Sequence, residues 1–257
     1  MSLPPYNIDE IVTILKRTNI PTVLVEGICD VKVLRFIEER AAYSVKGIDF
    51  IPCGGKEILF NVYKRKNEFP LKKVVFLADR DMNLFQDRTK HLKEIIWTTG
   101  YCIENDIFAG SNLLKFLNKK ERSEFETTIK EICRWFTFEV EKYLRGEKFN
   151  VEYSIYEICS EHSSKLCSKF LVEIGFKEPD GEFLNDIILN YKLKLRGKQI
   201  FQVLGRILTT KDKYSSFSKK NLIEIALRDN QKNIYINNLI KKISRILDLI
   251  KFNNFNS

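Results

Sequence analysis

The sequence predicts an α/β fold, in which a parallel β-sheet has helices on both faces and is followed by a mainly helical C-terminal region. In the first part of the chain, short apolar runs alternate with stretches of helical periodicity, and this alternation is typical of a parallel sheet with right-handed crossovers. Beyond Gly110, apolar residues recur only at helical spacing. We therefore predict two domains, residues 1–110 and residues 111–257.

The elements of the first domain follow from periodicity and from turn residues. Ile8, Ile11 and Leu15 share one face of a predicted helix, and Pro21 ends that segment before the first strand. Gly54 and Gly55 separate a short strand from the helix that follows it. In chain order we expect a helix over 7–17, a strand over 22–26, a helix over 30–42, a strand over 49–52, a helix over 54–66, and strands over 73–79, 95–97 and 101–103.

The second domain is predicted to be helical because its apolar residues form stripes. The last stripe, from Ile236 to Ile250, is either a core-facing helix or a dimer seam, and the core-facing case is the commoner one. A turn at 179–181 and a helix from Arg196 to Leu208 precede it. The tail over 253–257 has the composition of a disordered end.

Composition favours an intracellular protein with a polyanionic partner. The formal net charge is +9 and the pI is near 9.1, which suits nucleic acid, although the same lysine content is also compatible with coding bias. The six cysteines lack zinc-ribbon spacing and are expected to be buried, reduced residues. No apolar stretch approaches ~20 residues, so we expect a cytoplasmic protein without a membrane segment.

Acidic residues follow two of the predicted strands. Glu26 comes directly after the first strand, and Asp30 lies four residues further on; Asp79 and Asp81 end the third strand. On extended backbone, residues two apart place their side chains on the same face. Carboxylates at the carboxyl edge of a parallel sheet make a suitable site for Mg²⁺ or Mn²⁺, and Glu104 ends the last predicted strand. Each motif alone is also compatible with an ordinary turn or a helix cap, but their combination favours a metal site.

These residues resemble the Toprim domain, which is shared by topoisomerases, bacterial primases, small ribonucleases and overcoming-lysogenization-defect nucleases. The resemblance covers about residues 20 to 110, because Glu26 with Gly27 and Asp79 with Asp81 match the acidic positions of that family. It implies that Glu26 is a general acid/base or a metal ligand. It further implies that Asp79 and Asp81 hold magnesium, that Asp30 is a second nuclease-type acid, and that Glu104 is an additional ligand.

Basic residues near these acids are candidates for phosphate contacts. Lys56 follows Gly54 and Gly55 before a helix, a pattern frequent in Toprim proteins, and we assign it a catalytic role. A tight turn with an exposed lysine is an equally good interpretation of that segment. The candidate nucleic-acid contacts are Lys64, Arg65, Lys66 and Arg80, although such runs commonly lie at solvated helix ends.

The layout as a whole, including Gly197 and Lys198, resembles a narrower family, the Toprim effector nucleases of the PARIS anti-phage defence systems. That resemblance implies a toxic nuclease directed at transfer RNA and held by an ABC-type ATPase partner. From it we expect a magnesium-dependent endonuclease that cuts RNA rather than DNA. The apolar stripe from Ile236 to Ile250 leaves both a monomer and a homodimer open. The alternatives are a non-cleaving Toprim module that binds an ATPase or nucleic acid, a DNA nuclease and an RNA-maturation enzyme.

Overall fold

Four parallel strands form the sheet. The computed structural model describes residues 6–40, 47–70, 73–86, 89, 91–159, 163–209, 217–228 and 233–247. The strands are β1 (Thr22–Val25), β2 (Asp49–Pro52), β3 (Val74–Ala78) and β4 (Ile95–Trp97). They lie in the order β2-β1-β3-β4, and every neighbouring pair is parallel. The predicted α/β class and parallel sheet are confirmed.

The first three helices are α1 (Ile8–Arg17), α2 (Ile28–Arg40) and α3 (Lys56–Lys64). Asn7 caps α1 by accepting from the backbone N–H of Glu10, and Glu10 bonds back to Asn7. The apolar face of α1 lies in one core cluster with α3 and with alternate residues of the strands. Members of this cluster include Ile11, Leu15, Leu24, Ile51, Leu59, Val62 and Phe76.

The described residues fall into two compact units. The first contains those within 1–79, 89–98 and 236–257, and the second contains those within 80–88 and 99–235. The whole sheet therefore belongs to the first unit. The domain division at residue 110 stays a prediction.

The second unit is built from helices. They are α4 (Ile103–Ala109), α5 (Lys119–Leu144), α6 (Ile155–Ile158), α7 (Ser168–Glu173), α8 (Gly181–Leu189), α9 (Tyr191–Lys194), α10 (Gly197–Leu208) and α11 (Lys219–Arg228). The longest of these, α5, begins at a capping box between Asn118 and Glu121 and buries Trp135 and Phe136 completely. The helical character predicted beyond Gly110 is present in the described residues.

The prediction of a strand over 101–103 was wrong. Helix α4 begins at Ile103, and the side-chain oxygen of Asn105 accepts from the backbone N–H of Cys102, so that a capping box opens the helix. A run of only three apolar residues fits a strand or a buried helix start equally well. As a result, Glu104 lies in the first turn of a helix and does not end a strand.

The last helix, α12 (Ile234–Ile246), buries most of the predicted apolar stripe. Ile236, Leu239 and Ile243 are buried, whereas Ile246 is exposed. Ile250 and the 253–257 tail lie outside the described residues. Within the described part of the chain, no helix combines the length and the apolar character that crossing a membrane requires.

Candidate functional site

Glu26 and Asp79 follow neighbouring strands of the first unit and are joined by a hydrogen bond. In the register of this pair, Leu24 lies opposite Phe76, so β1 and β3 reach the same edge of the sheet. Oε1 of Glu26 accepts from the backbone N–H of Asp79 at 2.8 Å. The side chain of Glu26 is 18% exposed. The sheet therefore brings these two predicted acids together at its carboxyl edge, as expected for parallel strands.

Lys56 reaches both of these residues. Its ammonium donates to the backbone carbonyl of Asp79 at 2.7 Å and lies 3.5 Å from Oε1 of Glu26. Lys56 is the first residue of α3, and the turn before it has positive φ angles at Gly54 (86°) and Gly55 (150°). L residues with a side chain rarely adopt such angles, so the two glycines direct the helix that presents Lys56.

Asp30 closes the turn between β1 and α2. Its Oδ2 accepts from the backbone N–H of Gly27 at 2.9 Å, and the N–H of Asp30 donates to the carbonyl of Gly27 at 3.1 Å. These reciprocal bonds are typical of a helix start. Asp30 therefore stabilises the turn and the helix start, which is the alternative that the sequence left open. Its role as a metal ligand stays a prediction.

Gly27 itself is not required by backbone geometry. A Cβ at this position would meet its nearest neighbour, Oδ2 of Asp30, at the ordinary contact distance of 3.8 Å. We expect Gly27→Ala to leave stability unchanged or to raise it by about 0.5 kcal/mol, and Gly54→Ala, at φ 86°, to lower it by about 1–2 kcal/mol. Thermal melting of both variants checks this, and a large loss of stability in Gly27→Ala would contradict it.

The Cys53 thiol lies near the charge of Glu26. Cys53 follows β2, is completely buried, and donates its backbone N–H to the carbonyl of Val25 at 2.8 Å. Burial, with a smaller contribution from the charge of Glu26, raises the pKa of Cys53 to about 12. Cys53 is consequently a neutral thiol and is unsuited to be a nucleophile or a metal ligand at neutral pH.

Asp81 does not continue the extended backbone of β3, contrary to the prediction. It belongs to the second unit, has a φ of 49°, and begins a short 3₁₀ helix over Asp81–Leu84. Its backbone N–H donates to the carbonyl of Tyr101 at 2.7 Å. The prediction that the side chains of Asp79 and Asp81 lie on the same face assumed an extended backbone, and the backbone at Asp81 is not extended. The metal role of Asp81 rests on the resemblance alone.

Glu104, also in the second unit, is almost fully buried beside a lysine. Only 5% of the residue is exposed, and Nζ of Lys219 lies 2.8 Å from its Oε1. Burial alone would raise the pKa of Glu104, but Lys219, together with Cys102 and Lys198, outweighs burial and lowers that pKa. Glu104 is therefore a buried carboxylate that is held in its charged form.

The neighbours of Glu104 on α4 have structural contacts. The carboxylate of Asp106 accepts from the backbone N–H groups of Thr99 and Gly100 at 2.9 and 2.7 Å. The amide of Asn105 donates to the carbonyls of Lys192 and Leu195 at 2.8 and 2.7 Å. Both side chains are completely buried, and they fix the loop before α4 and the chain leading into α10.

Of the four predicted nucleic-acid contacts, two have acidic partners within the first unit. Arg65 pairs with Asp9 and Glu68, and Lys66 pairs with Glu94. Hydrogen bonds from Lys66 and from the hydroxyl of Tyr63 lower the pKa of Glu94 to about 2. Lys64 donates to Asn61 at 3.1 Å, and Arg80 immediately precedes the 3₁₀ helix of the second unit. Their contact with nucleic acid stays a prediction.

Sequence reasoning missed Lys219, because its partner Glu104 lies 115 residues away and no local motif marks the lysine. Sequence reasoning also missed the role of Asn105. Gly197, whose backbone N–H donates to Asn105, was noted only as part of the layout that carries the family resemblance. The comparisons with known proteins add no assignment, since no family model matches the chain and no curated protein matches it.

Proposed function

We propose that this chain is a divalent-metal-dependent endonuclease of the Toprim type, which hydrolyses phosphodiester bonds in RNA. The observation that carries the proposal is the convergence of Glu26, Asp79 and Lys56 at the carboxyl ends of adjacent parallel strands. This edge is where open α/β sheets commonly bind phosphate-containing ligands. Acids beside a lysine supply both of the charges that phosphodiester chemistry needs.

The residues of the first unit fit a hard divalent cation. Carboxylate oxygens are the ligands that Mg²⁺ and Mn²⁺ prefer. Glu26 accepts from the backbone N–H of Asp79 through Oε1, and each carboxylate has two oxygens that can bind a cation. We assign Glu26, Asp79 and Asp30 as ligands, and the resemblance adds Asp81 and Glu104. When bound, the cation would polarise the scissile phosphate.

Glu26 and Lys56 have separate tasks in the proposed reaction. Glu26 takes or returns the proton of the attacking or leaving oxygen, because its carboxylate is partly buried and fixed by the Asp79 N–H. Lys56 is held at the same edge by the carbonyl of Asp79. From this position its ammonium offsets the negative charge of a substrate phosphate.

The substrate and the biological setting belong to the same proposal. The net charge of +9 supports a polyanionic substrate. The resemblance to the Toprim effectors of PARIS systems supports transfer RNA as that substrate, an ABC-type ATPase as the partner, and a role in anti-phage defence. We infer that the chain acts in the cytoplasm, as a monomer or a homodimer.

A second candidate function is that of a binding module that does not cleave. One observation favours it: Lys56, Glu26 and the backbone of Asp79 already bond to one another, so they could serve only to join β1, β3 and α3. A metal titration separates the two candidates, since only the nuclease needs a cation at this edge.

In calorimetric titrations, the affinity of Asp79→Asn for Mn²⁺ should therefore be lower than that of the unaltered chain by about tenfold or more. Asp49→Asn is the matched control, because Asp49 begins β2 at the opposite edge of the same sheet and should leave the affinity unchanged. Equal affinity in all three proteins would argue for the binding module.

Cleavage is tested with the purified chain and defined substrates. We expect single-stranded RNA and transfer RNA to be cut in Mg²⁺ and to stay intact when EDTA removes the cation. Cutting of DNA with no cutting of RNA would overturn the proposed substrate. Metal binding without cleavage of any substrate would overturn the proposed reaction.

A further inference from the structure

The ion pair between Lys219 and Glu104 gives a buried carboxylate a counter-charge from a distant part of the chain. The two residues are 115 positions apart, and their side chains meet at 2.8 Å. The side chain of Glu104 is 6% exposed and that of Lys219 is 33% exposed. A buried carboxylate requires such a counter-charge, whereas the lysine retains access to water.

Several contacts fix the position of Lys219 at the start of α11. The preceding Phe217 donates its backbone N–H to the hydroxyl of Thr209 at 2.8 Å. Its carbonyl passes so close to α10 that a Cβ on Gly205 would lie 2.9 Å from it. Three residues after Lys219, Leu222 is completely buried. The second unit therefore places this ammonium against Glu104 by its own packing.

We propose that Lys219 is a tethered cation that occupies Glu104 when no divalent cation is bound and must withdraw when one binds there. The inference rests on the proposed function in one respect, namely that Glu104 is a metal ligand. The ammonium and the metal ion compete for the same carboxylate, so the lysine weakens metal binding by the free energy of its own pairing.

The competition predicts that removal of the lysine charge tightens metal binding. In calorimetry, Lys219→Gln should bind Mn²⁺ on the order of tenfold more tightly than the unaltered chain. Lys219→Arg, which restores a cation, should bind like the unaltered chain. Lys220→Gln is the matched control, since Lys220 is the exposed neighbour on the same helix, and it should change nothing.

The double variant Lys219→Gln with Glu104→Gln locates the effect. It should lose the whole gain, because the carboxylate that the cation would occupy is gone. Equal or weaker Mn²⁺ binding in Lys219→Gln would overturn the inference. So would the absence of binding in every variant, or a gain that persists in the double variant.

A second measurement uses the unaltered chain and does not depend on whether Lys219→Gln folds. Acylation of the Lys219 amine, followed by mass spectrometry, should become faster when Mg²⁺ is added, while acylation of Lys220 stays constant. A rate at Lys219 that Mg²⁺ does not change would overturn the inference. Neither measurement uses RNA cleavage: a chain that cuts no RNA refutes the proposed reaction alone, and a cutting chain without these responses refutes the tethered cation alone.

Discussion

Replacement of Glu26 by glutamine should reduce RNA cleavage by roughly 10²- to 10⁴-fold while the fold is retained. The amide oxygen of glutamine can still accept from the backbone N–H of Asp79, the bond that Glu26 makes at 2.8 Å. What disappears is the negative charge, and with it the proton acceptor and the proposed metal ligand. Initial rates of cleavage of a labelled RNA in Mg²⁺ measure the loss.

Glu57→Gln is the matched control for this substitution. Glu57 is exposed, lies next to Lys56 in the first turn of α3, and undergoes the same change in charge. It should cleave at the rate of the unaltered chain. Thermal melting of Glu26→Gln should show a loss of about 1 kcal/mol or less, since one partly buried ion pair is broken. Full activity in Glu26→Gln would remove Glu26 from the reaction, and unfolding of this variant would make its role structural.

Gly197→Ala should destabilise the second unit by roughly 1–3 kcal/mol. Gly197 is the first residue of α10, and its backbone N–H donates to Oδ1 of Asn105 at 3.0 Å. A Cβ added to Gly197 would lie 2.8 Å from that same oxygen, 2.8 Å from Cβ of Glu104 and 2.9 Å from the backbone nitrogen of Asn105. Because Asn105 is completely buried and bonded on both sides, it has little room to move.

Gly181→Ala isolates the effect of this close packing. Gly181 is likewise the first residue of a helix, α8, but a Cβ there would meet nothing within 4 Å. We expect this variant to be as stable as the unaltered chain or about 0.5 kcal/mol more stable. Denaturant unfolding of the two variants side by side gives the comparison, and equal stabilities would show that α10 and α4 can separate without cost.

The sheet and the acids that follow its first and third strands could be predicted from local sequence. Buried parallel strands consist of nearly continuous apolar residues, as in Val74–Ala78, and a polar residue marks the place where each strand ends. Since neighbouring parallel strands end at one edge, the meeting of Glu26 with Asp79 followed from the strand assignment alone.

Local sequence was insufficient where conformation changes within one or two residues. Nothing in the local sequence around Asp81 marks a change from extended backbone, yet the φ of this residue is 49°. This angle accompanies a bond from its N–H to Tyr101, twenty positions away. At α4, the cap depends on the side chain of Asn105, and three apolar residues carry too little periodicity to indicate it.

Contacts between segments that are far apart in the sequence could not be predicted from local patterns at all. The bonds from Asn105 to Lys192 and Leu195, and the pairing of Glu104 with Lys219, join residues about ninety or more positions apart. A single sequence gives no register between such segments. Gly197 drew attention as a residue type, but the reason for a glycine there is the approach of α4.

Cys29 departs from the expectation that all six cysteines are buried, and its exposure in the first turn of α2 permits selective chemical labelling there. Cys53, Cys102, Cys133 and Cys159 are buried, Cys167 is half-buried, and Cys29 is exposed. A thiol reagent under native conditions should therefore modify Cys29 first, three positions from Glu26. A fluorophore or spin label attached there would report on ligand arrival in the first unit without any engineered cysteine.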